Sequence, residues 1–209
     1  MPNTVVIADD HPMCSEAARI AVEALGLPLA TVQTHNLSET ISALNSQTPL
    51  LILDLGLPDS QGIASLTAIL ERFPVVPVVI VSGSDSPRMQ RMAQRLGARG
   101  FVSKSTPLPG HIRAFQAVLN GRDWFAGLSE APVDPAFEQQ LEAILSLTPA
   151  QRRVLDAMAG GQLNKQIAHD LQLSEITVKA HIKAIFKKLQ VTNRTQAILL
   201  ARTILSEPA

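Results

Sequence analysis

One cysteine, Cys14, is all that the 209-residue chain contains, so no disulfide can form within it and a reducing compartment is expected. Long apolar runs are missing too. The richest, "VVPVVIV", falls far short of the roughly 20 residues that a membrane-spanning helix needs. The N-terminus "MPNTVVIADD" has no basic stretch leading into an apolar one, so no secretory signal is expected. Charge is sparse: Asp, Glu, Lys and Arg make up 17% of the residues, against 46% hydrophobic. That balance excludes a disordered polyelectrolyte. Repeats and low-complexity tracts are absent. A cytoplasmic protein without a membrane partner is expected, long enough for one large or two ordinary domains.

The formal net charge is zero, but the average hides a split. Residues 1–125 carry 9 bases and 10 acids. Residues 126–147 carry no base and four acids, Glu130, Asp134, Glu138 and Glu142. Residues 148–209 carry 9 bases and 4 acids. A basic end on a neutral chain points to a polyanion partner for that end alone.

Short apolar runs at 4–8, 29–33, 50–54, 78–82 and 100–103 alternate with amphipathic stretches such as Met13–Leu25 and Ile63–Arg72. This alternation predicts a doubly wound, five-stranded parallel sheet covered by helices. Ser86-Pro87 reads as a helix start, and Gly97 and Gly121 as helix ends. Residues 123–146 break the rhythm and read as a linker, punctuated by Pro132 and Pro135, with room for a short helix over Phe137–Leu147. From 147 onward no strand is signalled, and a small all-α domain of four helices is expected. Thr148-Pro149-Ala150-Gln151 is a capping box, Gly160-Gly161 closes that helix, and Asn164, Ser174 and Asn193 are expected caps for the next three.

In open α/β sheets ligands bind beyond the carboxyl ends of the strands. Here those ends carry Asp9 and Asp10, Asp54, Ser82 and, just past the last, Lys104. If the strand order brings these ends together, three carboxylates meet. Each pair at ~4 Å and an effective dielectric near 20 costs about 4 kcal/mol. An oxygen-seeking cation such as Mg²⁺ resolves that conflict, and a hydroxyl and an ammonium beside it suit phosphate oxygens. Taken singly, each residue has a plainer use: Asp54 as a solvated turn residue, the Asp9-Asp10 pair at a helix start, Lys104 at the surface, Phe101 in the core. Cys14 reads as a small helix residue.

Residues 1–122 resemble the receiver domain of two-component response regulators, with its flavodoxin-like fold. "IADDHP" resembles the acidic-pair motif, "LILDLGLPDSQGI" the phospho-acceptor motif, "VIVSGS" the Ser/Thr switch motif and "GARGFVSKSTP" the motif of the lysine and switch aromatic. The resemblance implies that Asp54 is phosphorylated, that Asp10 and Asp54 ligate Mg²⁺, that Asp9 acts mostly through water, and that the Gly56 carbonyl adds a ligand. It implies that Ser82 binds the phosphoryl group, that Lys104 pairs with it, and that Phe101 moves inward with Ser82. A rival, a phosphatase of the haloacid-dehalogenase type, needs a second acid two residues after its nucleophile. Gly56 stands there, so no enzyme acting on an outside substrate is expected.

In "LNKQIAHDLQLSEITVKAHIKAIFKKLQVTNRTQAILLA" two helices flank "QLS". Val178, Ile182, Ile185, Phe186 and Leu189 form an apolar stripe on the second, with Lys179, Lys183 and Lys187 on another face. Residues 147–209 resemble the helix–turn–helix domain of the NarL/LuxR (FixJ) family. That resemblance implies double-stranded DNA as partner, with Lys179, Ala180 and Lys183 near base edges and Asn164, Lys165, Thr177, His181, Lys187 and Lys188 as phosphate contacts. The last helix, apolar at Ala197, Ile198, Leu200, Ala201 and Ile204, is used in that family for dimer contacts; packing on its own domain explains some of these positions equally well. The chain is thus expected to be a transcription factor phosphorylated by a sensor histidine kinase, a homodimer when active, with RNA polymerase left open as a further partner. Phosphorylation would either uncover the recognition helix or promote dimerisation. The alternative is a regulator that binds DNA without phosphorylation and uses its receiver to dock proteins.

Overall fold

The computed structural model describes residues 3–60, 62–84, 86–125, 128 and 134–205. Two compact units divide the chain, Met1–Ala131 and Pro132–Ala209. The first is a parallel sheet with helices. Its strands are β1 (Thr4–Ala8), β2 (Ala30–Thr34), β3 (Leu51–Leu53), β4 (Val78–Ser82), β5 (Gly100–Ser103) and β6 (Trp124–Phe125), in the order β2-β1-β3-β4-β5-β6. Helices α1 (Pro12–Glu23), α2 (Leu37–Ala43), α3 (Ala64–Arg72), α4 (Pro87–Leu96) and α5 (Leu108–Leu119) connect them.

The strands form where β-branched residues cluster, as in "TVVIA" and "VVIVS", and their alternation sends side chains to both faces. Val5, Ile7, Leu50, Ile52, Val79, Val81 and Val102 pack with Ala18, Ala21 and Val22 of α1 and Ala114, Phe115 and Val118 of α5. Their neighbours Val6, Leu51, Leu53, Val78 and Ile80 are just as buried, so the sheet is covered on both sides. The sheet differs from expectation by one strand. Trp124 donates its backbone N–H to Arg99 O at 2.9 Å, and β6 adds to the β5 edge in parallel. A two-residue strand carries too little periodicity to be read from a sequence.

The second unit is helical: α6 (Pro135–Leu145), α7 (Pro149–Ala159), α8 (Asn164–Asp170), α9 (Glu175–Leu189) and α10 (Arg194–Leu205). The segment 123–146, expected as a linker, therefore holds β6 and α6. Phe137, Leu141 and Ile144 of α6 are buried, because the helix packs on α9 and α10. Pro132 and Glu130 of that segment lie outside the described residues. The Thr148 capping box forms as expected: Thr148 Oγ1 accepts from Gln151 N, and Gln151 Oε1 accepts from Thr148 N at 3.0 Å. Ser174 and Asn193 also cap their helices. Asn164 does not cap α8. Leu163 takes that place, its N–H held by Gln166 Oε1 at 2.7 Å, and Asn164 is the first helical residue.

Gly97 ends α4 with φ +109°, a left-handed conformation in which its N–H reaches back to the last turn. A Cβ there would meet Leu70 Cδ1 at an ordinary 3.5 Å, so the obstacle to a side chain is the backbone itself. Gly97→Ala is expected to lower receiver stability by about 1–2 kcal/mol, read from the urea midpoint of that unit.

Candidate functional site

Strand order β2-β1-β3 means that the chain leaves β1 and β3 side by side, where connections to either side open a crevice. Ala8 and Leu53 are register partners, so the residues that follow them, Asp9 and Asp54, emerge together. Asp54 N–H donates to Ala8 O at 2.8 Å and Asp9 N–H to Thr34 O at 3.1 Å, which pins both backbones. Both carboxylates are buried, at 4% and 5% exposure. Lys104 reaches them from the end of β5: its Nζ stands 2.7 Å from Asp54 Oδ2 and 2.9 Å from Asp9 Oδ2. Its own N–H donates to Ser82 O at 2.7 Å, tying the ends of β4 and β5.

Three expected ligands, Asp9, Asp10 and Asp54, are thus brought to one place, and His11 joins them. Donor atoms of all four lie within 4.8 Å of one another. His11 was missed in the sequence, although its position directly after the acidic pair was a usable signal. Three carboxylates face one ammonium, an excess of negative charge that suits a divalent cation. Asp10 Oδ1 is buried without a hydrogen-bond partner, a further mark of a cation cradle. Gly56 sits against Asp54: a Cβ on it would lie 3.3 Å from Asp54 Oδ2, so glycine keeps that side of the carboxylate open.

Ser82 is buried at 2%, and its Oγ accepts the N–H of Ser84 at 3.2 Å. Phe101, expected to move inward with it, is already buried at 1%. Cys14 lies in the first turn of α1. Burial raises its thiol pKa; Lys104 lowers it and Asp9, Asp54 and Asp10 raise it, with a net upward result. A thiol held protonated is a poor redox nucleophile. Asp59 is engaged elsewhere, accepting the N–H groups of Leu37 and Ser38 at 2.6 and 3.0 Å at the start of α2. The Leu37 bond is the main cause of its lowered pKa.

In the helical unit, α8 and α9 are joined by a tight turn with Gln172 at φ +56°. Val178, Ile185 and Leu189 of α9 are buried, while Ile182 and Phe186 are half-buried. Lys179, Ala180, Lys183 and Lys187 are exposed, as is Lys165 on α8; Thr177 and His181 are half-buried. Lys179 pairs with Glu175 one turn back at 3.0 Å. Lys188 turns the other way. Its Nζ donates to Ser146 O at 2.6 Å and Gln151 Oε1 at 3.0 Å, so it serves the start of α7 rather than the lysine face. Asn164 Oδ1 accepts from Arg194 at 3.3 Å. Arg194 also donates to Gln162 O at 2.5 Å, and Arg202 to Ala159 O at 3.0 Å. Both arginines satisfy carbonyls at and beyond the C-terminal end of α7. Two large apolar side chains off the stripe are open to solvent, Leu163 at 70% and Ile176 at 81%. On α10, Ala197, Ala201 and Ile204 are buried in the domain, Ile198 and Leu200 are half-buried, and Leu199 is 64% exposed.

The family model for the response regulator receiver domain matches residues 5–114. That for bacterial regulatory proteins of the luxR family matches residues 145–201. A glycerol metabolism activator of Pseudomonas putida is 35% identical over 213 residues, covering 96% of this chain and 95% of that protein. The nitrate/nitrite response regulator NarL of Escherichia coli is 28% identical over 205 residues, covering 94% and 93%. RcsB of Salmonella enterica serovar Typhimurium, solved on a promoter with the phosphomimetic BeF₃⁻, is similar with a TM-score of 0.55 and 25% identity, over 96% of this chain and 98% of that one.

Lys104 has a testable titration. Burial pushes its ammonium pKa down, but hydrogen bonds to Asp54 and Asp9 outweigh this and hold it above the ordinary 10.5. The pairing therefore contributes its full stability below the unfolded lysine pKa and loses it as pH rises through the higher folded value. The receiver's urea midpoint is expected to fall as pH rises above roughly 10.5, and Lys104→Met to lack that part of the fall. Equal alkaline slopes in the two proteins would contradict the assignment.

Proposed function

Because this chain belongs to the response regulators that join a receiver to a LuxR-family DNA-binding domain, we propose that it is a transcription factor switched by phosphorylation of Asp54. The observation that carries this reading is the state of Asp54. It is a buried carboxylate at a strand end, gripped by Lys104, beside two more carboxylates and the hydroxyl of Ser82. A histidine kinase is the donor partner. A carboxylate oxygen of Asp54 attacks the phosphorus of the kinase's phosphohistidine, the P–N bond breaks, and the ring, already protonated on its other nitrogen, leaves as neutral imidazole. Asp9, Asp10 and Asp54 with the Gly56 carbonyl would hold Mg²⁺, which offsets charge on the phosphoryl oxygens.

The new group adds about −1.5 to −2 charge. Lys104 then pairs with the phosphoryl oxygens, and Ser82 donates its hydroxyl to them. Both are joined through the ends of β4 and β5, so their displacement reaches Phe101 on β5. No acid stands at position 56 to protonate an outside leaving group, so the receiver acts on its own acceptor and is no enzyme for other substrates. The protein works in the cytoplasm, where the kinase's donor domain and DNA are both accessible.

The output is sequence-specific binding of double-stranded DNA by α9. Lys183, with Lys179 and Ala180, faces base edges; Lys187, Lys165, Thr177 and His181 face phosphates. Lys179 exchanges its bond to Glu175 for the groove. Leu199 offers the exposed apolar contact on α10 for a homodimer in the active state, and RNA polymerase is a further contact on promoters.

Two experiments test this. With Mg²⁺ and acetyl phosphate or phosphoramidate, the mass of the wild-type protein should rise by one phosphoryl group. Asp54→Asn should abolish the gain and Asp59→Asn should keep it; labelling of Asp54→Asn at the wild-type level sinks the acceptor. For DNA, Lys183→Ala should lose about 1–3 kcal/mol of discrimination between an operator and a point variant. Lys187→Ala should weaken all sequences alike and flatten the salt slope by roughly one unit. Lys188→Ala should instead lower the melting temperature of the helical unit. Identical behaviour of the three variants would mean that the helix is turned wrongly in the groove.

A further inference from the structure

The imidazole of His11 has no task in the acceptor reading. The residue's backbone N–H does have one, donating to Asp9 Oδ1 at 2.8 Å, but any residue except proline would supply that bond. The ring itself is 64% exposed and still leans into the crevice. Its Nδ1 stands 2.8 Å from Asp10 Oδ1, 3.4 Å from Asp9 Oδ1 and 4.0 Å from Asp54 Oδ2. The first distance is short enough for a hydrogen bond, yet Asp10 Oδ1 has no hydrogen-bond partner. Nitrogen and oxygen approach closely without the alignment that sharing a proton requires.

Two donors so arranged resemble neighbouring ligands of one ion. With metal–ligand bonds of ~2.1 Å, adjacent donors of an octahedron stand about 3.0 Å apart and opposite donors about 4.2 Å. Asp10 and Asp9 fall near the adjacent spacing from Nδ1, and Asp54 near the opposite one. A set made only of oxygens would suit Mg²⁺; an imidazole nitrogen suits the later divalent ions of the first transition row.

We infer that His11 is a fourth ligand residue, which shifts the crevice's preference from Mg²⁺ toward nitrogen-accepting divalent ions, with Co²⁺ as the probe. This rests on the crevice being the cation-assisted acceptor site. Ion identity is then set by the residue after the acidic pair, while the three carboxylates supply the charge. Since the ring is open to solvent on one side, it can enter the coordination sphere without repacking the core.

The test uses full-length, metal-free protein and reads binding by calorimetry, with the visible absorption of Co²⁺ as a ligand-field signature. Wild type, His11→Ala, His11→Gln and Asp10→Asn are each titrated with Co²⁺ and with Mg²⁺. His11→Ala and His11→Gln should lower the ratio of Co²⁺ to Mg²⁺ affinity by about tenfold, and their Co²⁺ spectra should lose the nitrogen-ligand contribution. The other four histidines are common to all four proteins, so the difference isolates His11. A ratio that changes by less than about threefold overturns the inference. Asp10→Asn separates the two levels of the claim. If it leaves Mg²⁺ affinity at the wild-type value, the acceptor-site reading itself falls. If Mg²⁺ affinity collapses in Asp10→Asn while the ratio ignores His11, only the role of His11 falls.

Discussion

Lys104 holding Asp9 and Asp54 is the contact on which the receiver's site depends. Two buried carboxylates within reach of one ammonium would otherwise repel across a crevice of low dielectric, and burial of unpaired charge is costly. The lysine compensates them only in part, because Asp10 stands beside the pair. The remainder is an excess of negative charge built into the fold, and it suits a divalent cation. The same ammonium that stabilises the resting site is the partner that a new phosphoryl group would claim. Its backbone is tied to Ser82, so a change in its pairing is felt at the ends of two strands.

Seven of the nine basic residues of the helical unit fall into two kinds of work. Arg194 and Arg202 satisfy carbonyls at and beyond the end of α7, and Lys188 closes the start of the same helix. Those three cations belong to the architecture of the domain. Lys165, Lys179, Lys183 and Lys187 remain on the surface, and three of them recur along α9 at one-turn spacing. The positive charge counted along the chain is therefore larger than the charge offered to a polyanion. Salt dependence of binding should reflect the exposed set, because only cations that release counterions contribute to it.

Glycine and proline set the boundaries of this arrangement. Pro12, Pro87, Pro135 and Pro149 start helices at positions where a backbone N–H would go unpaired. Gly56 removes a side chain from the face of Asp54, which leaves that carboxylate approachable and places no acid at position 56. A single residue thus keeps one side of that carboxylate open.

The sequence by itself determined most of the element order, the strand ends that carry chemistry, the capping box at Thr148 and the apolar stripe of α9. These are local patterns, repeated at a period of two or near 3.6, and local patterns survive in one dimension. Motif resemblance supplied the roles proposed for Asp54, Ser82 and Lys104. Only the tertiary structure decided what depends on distance across the chain. Lys188 looks like its neighbour Lys187 in sequence, yet it reaches Ser146 and Gln151 about forty positions away. Asn164 has the composition of a cap, but Arg194 takes its oxygen from another helix. Strand β6 is two residues whose pairing is supplied wholly by the edge of β5. His11 became part of the crevice because the register of β1 on β3 brings Asp54 to it. In each case the deciding partner is remote in sequence, and burial and hydrogen bonding are settled by neighbours in space.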